Sequence, residues 1–402
     1  MNLILSAEGL SVGYDKKTVV SGIDIKAAKG QVICLLGANG AGKSTVLRTL
    51  SGLLAPVSGA VYIDGENVRE IKRKDLARRL SLVLTEQPAP SLTTVYELAA
   101  MGRTPYTDFL GRLSDDDRII IDEALAQTGS LPLKDRIFGE LSDGEKQKVM
   151  ISRALVQQPE LIILDEPTSH LDIKHKIEII RILQKLANEK EITCILSLHD
   201  IDLALKCCSA VMLVKDGKIA ACGAPEDIAE KGIIDELYGI ENASFFETTG
   251  AVELKGADKN DVFIAGGGGT ATPLLRSLAR LGCGISCGII HENDVDFYSA
   301  KTICSAVASE KPFCTISQET VSEAQKLISE AKCVIDSGFP VGETNAACVQ
   351  LIGYAAALGK PVMSLRGAEE CKRLFGNTAL RSFDKVSEAA AAAMLHAPQF
   401  NA

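Results

Sequence analysis

The feature that most restricts the fold of this chain is a glycine-rich turn followed by a lysine and two hydroxyl residues. Gly37 to Thr45 read GANGAGKST and directly follow the apolar run Val32-Ile33-Cys34-Leu35-Leu36. Small residues in such a turn let successive backbone N–H groups point into one concavity, and the following helix N-terminus adds partial positive charge. The GxxxxGK[ST] spacing after a strand therefore predicts a phosphate-binding loop, in which Lys43 reaches the β- and γ-phosphates and Ser44 binds Mg²⁺.

A second pattern predicts the start of a helix. Residues 141–145 read LSDGE, with Ser142 as a good N-cap and Glu145 three residues on, in capping-box position. Apolar residues at helical spacing follow. By itself this pattern indicates only a capped helix, because capping boxes are common.

A third pattern places carboxylates at the end of a buried strand. The run Leu161 to Leu164 is apolar and is followed by Asp165 and Glu166. Phosphate sites lie at the C-terminal edge of parallel sheets, so Asp165 is placed to hold Mg²⁺ and Glu166 to polarise an attacking water. His199 follows another apolar strand, 193–198, and we interpret it as a γ-phosphate contact rather than a structural histidine.

In this order, the segments over residues 3–245 resemble the nucleotide-binding subunit of ATP-binding cassette (ABC) transporters. The resemblance implies an α/β P-loop NTPase fold, ATP and Mg²⁺ as cofactors, and Lys43, Glu166 and His199 as catalytic residues. The positions matching nucleotide-binding or metal-binding positions of that family are Tyr14, Gly37, Asn39, Gly40, Gly42, Lys43, Ser44, Thr45, Ser142, Gly144, Asp165 and Asp172. Tyr14 falls where the family stacks an aromatic ring on adenine, although aromatic residues also favour strands in general.

The resemblance also implies a second copy of the chain as a partner. In this family the signature of one subunit, here Leu141 to Glu145, closes over the Walker A loop of another, here Gly37 to Thr45. Ser142 and Gly144 would then contact the γ-phosphate across the interface, and two chains would enclose two ATP molecules. The glutamine that usually contacts Mg²⁺ after the preceding strand has no clear counterpart. Thr85 stands in its register, and Gln87 serves as the metal ligand only if the loop shifts.

Three short segments resemble the sequences of metal-chelate importers, which take up ferric siderophores, haem and cobalamin. They are residues 76–80 (LARRL), 94–98 (TVYEL) and 102–106 (GRTPY). The surrounding segment, about 88–150, interrupts the strand pattern with helical stretches, which suits a lateral subdomain that grips a membrane permease. The alternative is a helical insert that carries no information on transport class, because a fold alone fixes no substrate.

Composition excludes several other classes of protein. The 402 residues are 46% hydrophobic and 24% charged, with a net charge of −9, which argues against a nucleic-acid partner. We find no uninterrupted apolar stretch of about 18 residues and no signal peptide, so we expect a peripheral protein on the cytoplasmic face of the membrane. The twelve cysteines show no CxxC pair, which indicates reduced core residues.

The chain is expected to form two domains. We assign 1–242 to the ATPase, 243–260 to a linker that lacks a sustained apolar period, and 261–402 to a smaller Rossmann-like α/β domain with a parallel sheet. In this second domain the run 266–270 (GGGGT) suits a phosphate or nucleotide, or else is only a tight turn. His291 is a weaker candidate as a corrinoid or metal ligand.

Extensions of this kind resemble those on some cobalamin-importer ATPases, which favours a corrinoid as the transported molecule and a small regulatory ligand on the second domain. The expected function is therefore ATP hydrolysis that powers metal-chelate import through a permease, with a substrate-binding protein as an indirect partner. The alternative is a soluble ABC-type ATPase that drives another macromolecular machine. Such relatives usually carry two cassettes, coiled-coil insertions or basic patches, and the sequence has one Walker A motif and no long heptad stretch.

Overall fold

The computed structural model describes residues 3–15, 17–84, 92–108, 110–229, 243–246 and 251–397, with 243–246 described by backbone alone. The chain divides into two compact units, Met1–Gly239 and Ile240–Ala402. Each unit has its own apolar clusters. Within the described ranges, no helix has both the length and the apolar character that a membrane crossing requires.

The first unit is built around a long mixed sheet. Its strands are β1 (Leu3–Tyr14), β2 (Lys17–Ala28), β3 (Val32–Leu36), β4 (Ser58–Ile63), β5 (Glu66–Asn67), β6 (Leu80–Val83), β7 (Leu161–Leu164), β8 (Thr193–Ser197), β9 (Ala210–Lys215) and β10 (Lys218–Gly223). Its helices are α1 (Lys43–Leu50), α2 (Arg73–Arg79), α3 (Val95–Ala100), α4 (Asp115–Gln127), α5 (Asp143–Leu155), α6 (Ile173–Lys190), α7 (Ile201–Cys207) and α8 (Pro225–Ala229).

The strand order brings the candidate site residues to one edge. The order is β5-β4-β1-β2-β10-β9-β3-β8-β7-β6, and β3 pairs in parallel with β8 and β9 while β7 pairs in parallel with β8. All residues of β3, β7 and β8 are buried, which explains their continuous apolar sequences. Because these strands are parallel neighbours, the loops that follow them lie side by side.

A buried arginine forms hydrogen bonds to two parts of the helical region between β6 and β7. Arg103 donates from Nε to Asp117 Oδ1 at 2.7 Å and from Nη1 to the carbonyl of Val156 at 3.0 Å. Its guanidinium also lies 3.8 Å from the ring centroid of Tyr106. A side chain at Gly102 would come within 2.3 Å of the Arg153 carbonyl. The segment 102–106, which resembles metal-chelate importers, therefore has a packing role in this fold.

The second unit contains a separate parallel sheet. Its strands are β11 (Ala243–Phe246), β12 (Ala251–Leu254), β13 (Ala257–Ala265), β14 (Gly284–His291), β15 (Ala306–Glu310), β16 (Cys333–Asp336), β17 (Val362–Ser364) and β18 (Arg381–Ser382). Its helices are α9 (Ala271–Arg280), α10 (Phe297–Ile303), α11 (Gln318–Glu330), α12 (Ala347–Ala357), α13 (Ala368–Phe375) and α14 (Val386–Met394). The order β15-β14-β13-β16-β17-β18, with parallel pairing throughout, confirms the expected Rossmann-like sheet.

The segment 243–260 differs from the linker that the sequence predicts. It holds the strands of the hairpin β11–β12 and the first part of β13. Glu253 is buried and accepts hydrogen bonds from Arg276 and Ser299, which stand far along the chain in α9 and α10. The sequence of this segment lacks a sustained apolar period, so it does not indicate these tertiary contacts.

The structure also differs from the sequence prediction in where a helix ends between residues 296 and 310. The sequence pattern predicts one helix over 296–308, but α10 ends at Ile303 and Ala306–Glu310 form the edge strand β15. The backbone N–H of Ser305 donates to the carbonyl of Ile285 in β14. A short run of small apolar residues fits either structure, and pairing with β14 decides between them.

Candidate nucleotide-binding and catalytic site

The glycine-rich loop turns between β3 and α1 through backbone conformations that favour glycine. Gly40 and Gly42 have φ values of 80° and 102°, in the left-handed region. A Cβ at Gly42 would also lie 2.5 Å from Val20 Cγ2. Lys43 is 5% exposed and donates from Nζ to the carbonyls of Gly37 and Ala38 at 2.8 and 3.1 Å. Burial lowers the pKa of the Lys43 ammonium, against the opposing charges of Glu166 and Asp165.

Three oxygen atoms from different segments meet beside this loop. Ser44 Oγ donates to Asp165 Oδ1 at 3.1 Å, and Ser197 Oγ donates to the same carboxylate oxygen at 2.8 Å. Hydroxyl and carboxylate oxygens are ligands that Mg²⁺ prefers. Ser44 and Asp165 therefore fit a magnesium ion, which would neutralise phosphate charge during phosphoryl transfer.

Glu166 is held in a defined orientation next to Asp165. Its φ is 51°, a conformation that non-glycine residues rarely adopt, and its backbone N–H donates to Ser197 Oγ at 2.9 Å. His199 Nε2 lies 2.6 Å from Glu166 Oε1, and Ser169 Oγ donates to Oε2 at 2.9 Å. Burial alone raises the pKa of Glu166, but the hydrogen bonds from Ser169 and His199 and the charge of Lys43 bring it below its usual value. The carboxylate is therefore ionised at neutral pH, the form that can accept a proton.

The LSDGE segment forms the expected capped helix start. Ser142 is the N-cap of α5, and its N–H and hydroxyl donate to Glu145 Oε2 at 2.9 and 2.8 Å while Glu145 N–H donates back at 3.4 Å. Ser142 is exposed, whereas Gly144 is buried against the ring of His175 in α6. The signature is thus anchored on one side and open to a partner on the other.

Comparison with known proteins finds a matching family model in each of the two parts of the chain. A family model described as ABC transporter matches residues 20–169, and one described as the MJ0874 family matches residues 285–398. An uncharacterized ABC transporter ATP-binding protein of Methanocaldococcus jannaschii, MJ0873, is 44% identical over 279 residues, which are 69% of this chain and 96% of that protein. This chain belongs to the ATP-binding proteins of ABC transporters.

Other relatives of this ABC ATPase are named for specific importers. The cobalamin import ATP-binding protein BtuD of Halobacterium salinarum is 31% identical and covers 83% of this chain and 85% of its own length. The ferric enterobactin transport ATP-binding protein FepC of Escherichia coli is 37% identical, and the match covers 59% of this chain and 87% of that protein. The solved structure of cbiO1 from Clostridium perfringens, part of the ABC transporter complex cbiONQ, is 33% identical with a TM-score of 0.52, over 59% of this chain and 94% of that chain.

The remaining candidate residues of the ABC ATPase lie as follows. Tyr14 ends β1 and is 45% exposed, so its ring is accessible. Asp172 is the N-cap of α6 and accepts from the N–H of His175 at 2.9 Å, while its Oδ1 lies 2.8 Å from His175 Nδ1. Asn39 is exposed in the loop, and Thr45 is buried in α1. Thr85, Glu86 and Gln87 lie outside the described residues.

Sequence reasoning missed two serines that organise the carboxylates. Ser197 is fully buried and joins Asp165 to the backbone of Glu166, and Ser169 holds the second oxygen of Glu166. Ser197 could have been recognised from the sequence, because it is a hydroxyl residue in the otherwise mostly apolar run of β8. Ser169 carried no such signal, because hydroxyl residues are common in loops.

In the second unit, the glycine run 266–270 precedes α9 as expected, but the N-terminus of that helix is already capped. The carboxylate of Asp296 accepts hydrogen bonds from the N–H groups of Ala271 and Thr272, both at 3.0 Å. Asp294 Oδ2 accepts from the N–H of Gly268 at 2.7 Å. These carboxylates stand where the sequence suggests a phosphate, so the run is not an open anion site. His291 Nε2 lies 2.7 Å from the Cys314 carbonyl, and no metal-binding group of His, Cys, Asp and Glu occurs in the described ranges.

Proposed function

We propose that this ATPase hydrolyses MgATP between two copies of the chain and thereby powers a membrane importer. The observation that carries the proposal is the connected set Ser44, Asp165, Glu166 and His199 beside the phosphate-binding loop. The exposed hydroxyl of Ser142 supports a signature surface that closes on a second copy. ATP binds better to the closed pair than to the open pair, so binding and hydrolysis can change the state of a partner.

In the proposed reaction, these residues bind the phosphates, hold the metal ion and accept the proton. Lys43 and the loop amides bind the β- and γ-phosphates. Ser44 and Asp165 would hold a magnesium ion, which would neutralise charge on the phosphates. Glu166 accepts a proton from the attacking water, and His199 orients that carboxylate and contacts the γ-phosphate. Gln87 is proposed as a further magnesium ligand on the condition that its loop shifts, because Thr85 stands in the register of the family's glutamine.

The test of this assignment is the substitution Glu166→Gln. We expect it to abolish steady-state ATP hydrolysis and to stabilise an ATP-bound dimer, because the amide cannot accept the proton but leaves phosphate binding intact. Phosphate release and size-exclusion chromatography with ATP measure the two effects. Glu189→Gln, on the exposed side of α6, is the matched control and should behave like the unsubstituted chain. Unchanged turnover in Glu166→Gln contradicts the assignment.

We infer that the permease docks on the first unit, on the cytoplasmic face of the membrane. A cleft of about 440 Å³ lies between the end of α1 and α2, with Leu53, Leu76 and Leu82 among its lining residues. Leu53 is 63% exposed, so its apolar side chain is available to a partner at this cleft. Leu82 in the cleft lining is close in sequence to residues 85–87. These residues would relay the state of the nucleotide site to the permease. Leu53→Asp should reduce permease-stimulated hydrolysis while leaving the basal rate unchanged.

Cobalamin or a related corrinoid is the proposed cargo. The match to the cobalamin import protein covers 83% of this chain, whereas the match to the ferric enterobactin protein covers 59%. Similarity to the first of these proteins therefore extends further into the second unit. Uptake of labelled cobalamin, ferric enterobactin and haem should be compared in cells with and without this protein. Loss of cobalamin uptake alone supports the proposal, and loss of ferric enterobactin uptake alone would overturn it.

A further inference from the structure

A cavity of about 520 Å³ opens at the C-terminal edge of the sheet in the second unit. The strand order reverses at β13, so the loops after β14 and β16 leave in opposite directions and create a crevice. Gly268 lies after β13, Asp294 after β14 and Pro340 after β16, and all three line the cavity. Both the position and the volume are those of small-ligand sites.

The charges around this cavity exclude a phosphate at its inner end. Asp296 is fully buried and caps α9, and its carboxylate also accepts the hydroxyl of Thr272 at 2.6 Å. Asp294 lines the cavity itself, and the described lining residues include no lysine or arginine. A phosphate would meet carboxylates at the glycine run with no cation to offset them. The ligand is therefore neutral or cationic at this end.

The lining of the cavity also includes an exposed aromatic side chain. Phe313 lines it, is 85% exposed, and has a φ of 60° in the left-handed region. Glu310 accepts hydrogen bonds from the N–H groups of Lys311 and Ser317 at 3.0 and 2.9 Å, which ties together the two ends of the Phe313 loop. An exposed aromatic ring that lines a cavity is a surface on which a planar group can stack.

Hydrogen-bonding groups also line the cavity. Asp294 is half-buried, and its two oxygens accept from Gly268 and Asp296 N–H groups at 2.7 and 2.9 Å, which leaves further lone pairs on each oxygen. A carboxylate after the second strand of such a sheet is suited to accept from ribose hydroxyls. His291 and Asn293 add polar atoms to the lining.

We propose that this cavity binds a nucleoside without a phosphate group. Its planar base would stack on Phe313, and its ribose hydroxyls would donate to Asp294. A nucleoside matches the exposed aromatic ring, the carboxylate acceptor and the absence of lysine and arginine from the described lining, whereas a nucleotide matches only the ring and the acceptor.

Equilibrium dialysis of the full chain with labelled adenosine, guanosine, cytidine and uridine tests the proposal. At least one nucleoside should bind, and its 5′-monophosphate should bind at least about tenfold more weakly because of repulsion by Asp294. Phe313→Ala should weaken binding about tenfold, in the range of base–aromatic stacking, and Asp294→Asn should weaken it as well. Phe313→Ala changes an exposed side chain, so it tests the site even if Asp294→Asn does not fold.

Two controls separate this site from the ATPase site. Tyr14→Ala should leave nucleoside binding unchanged, and Leu395→Ala, another exposed apolar residue, should do the same. Three results would each overturn the proposal: no nucleoside binds, the monophosphate binds as tightly as the nucleoside, or binding is lost in Tyr14→Ala but kept in Phe313→Ala.

Discussion

At the scale of single residues, Gly144 of the signature and Asp172, the N-cap of α6, both lie against the imidazole ring of His175. His175 Nδ1 lies 2.8 Å from Asp172 Oδ1, and a Cβ at Gly144 would lie only 2.4 Å from His175 Cδ2. The ring is therefore fixed on one side by a hydrogen bond and on the other by close packing. A displacement of Asp172 would be transmitted through this ring to the signature helix of the same chain.

Gly144→Ala should therefore impair ATP hydrolysis through a clash with His175. An added methyl group in a tightly packed contact typically costs about 1–3 kcal/mol. His175→Ala in the same chain removes the clash, so the double variant should recover part of the lost rate. ATPase rates of the two single variants and the double variant at saturating ATP measure this coupling. Equal rates for Gly144→Ala with and without His175→Ala would show that the ring is not involved.

At the scale of elements, a buried ion pair connects the helices between β6 and β7. The side chains of Arg103 and Asp117 are 6% and 10% exposed. Hydrogen bonds from the Ser114 backbone, followed by those from the Ser114 hydroxyl and Arg103, lower the pKa of Asp117 despite the opposing effect of burial. The pair thus links the segment before α4 to α4, and the hydrogen bond from Arg103 to the Val156 carbonyl extends this link to the C-terminal end of α5.

Arg103→Ala should destabilise this helical region by about 3–5 kcal/mol, because it leaves a buried carboxylate without its cation. Hydrogen exchange of α4 and α5 amides measures the effect where it is expected. Arg118→Ala removes an exposed arginine that lies 3.9 Å from Asp115, and should change stability by no more than about 0.5 kcal/mol. Similar exchange in the two variants would rule out a supporting role for Arg103.

The loop between β15 and α11 depends on an ionised carboxylate. Hydrogen bonds from the backbone of Ser317 and Lys311, and then from side-chain hydroxyls, lower the pKa of Glu310 from 4.5 to about 2. The folded-state pKa is below the unfolded value, so the stabilisation is present above pH 4.5 and is lost as the pH falls toward 2. The Phe313 loop should loosen over the same range.

Glu310→Gln should reproduce the acid-loosened loop at neutral pH. Its thermal stability should be lower than that of the unsubstituted chain at pH 7, and the difference should shrink as the pH falls from 4.5 toward 2. Melting of the second unit as a function of pH measures this. Glu319→Gln, in the first turn of α11, is the matched control. A difference that is constant with pH would mean that the ionised form of Glu310 is not what stabilises the loop.

At the scale of the whole molecule, each unit contains the apolar clusters that a domain needs. Two clusters lie within residues 4–228 and two within residues 262–397. Units with separate cores can generally fold alone. The division at Gly239 also falls close to the ATPase boundary at 242 that we propose from the sequence.

A chain that ends at Gly239 should therefore fold and hydrolyse ATP. It should also lose the nucleoside binding proposed for the second unit, because the whole cavity lies beyond residue 260. Circular dichroism, ATPase rates and dialysis measure these three properties. Aggregation of the shortened chain under conditions that keep the full chain folded would show that the units depend on each other.

The sequence by itself determined the features that depend on neighbouring residues. The glycine spacing of the phosphate-binding loop and the capping box at Ser142 follow from local conformational preferences. The alternation of strands and helices likewise indicated a parallel second sheet. Local patterns are sufficient here because each feature is stabilised within a few residues of chain.

Only the tertiary structure decided which distant groups meet. Ser197 joins Asp165 to Glu166, Glu253 pairs with Arg276, and Asp296 caps α9 in place of a phosphate. The partners in each case are separated by more than twenty residues, so no local pattern specifies them. Their positions follow from which strands lie side by side, and strand order is fixed by packing of the whole unit rather than by any one segment.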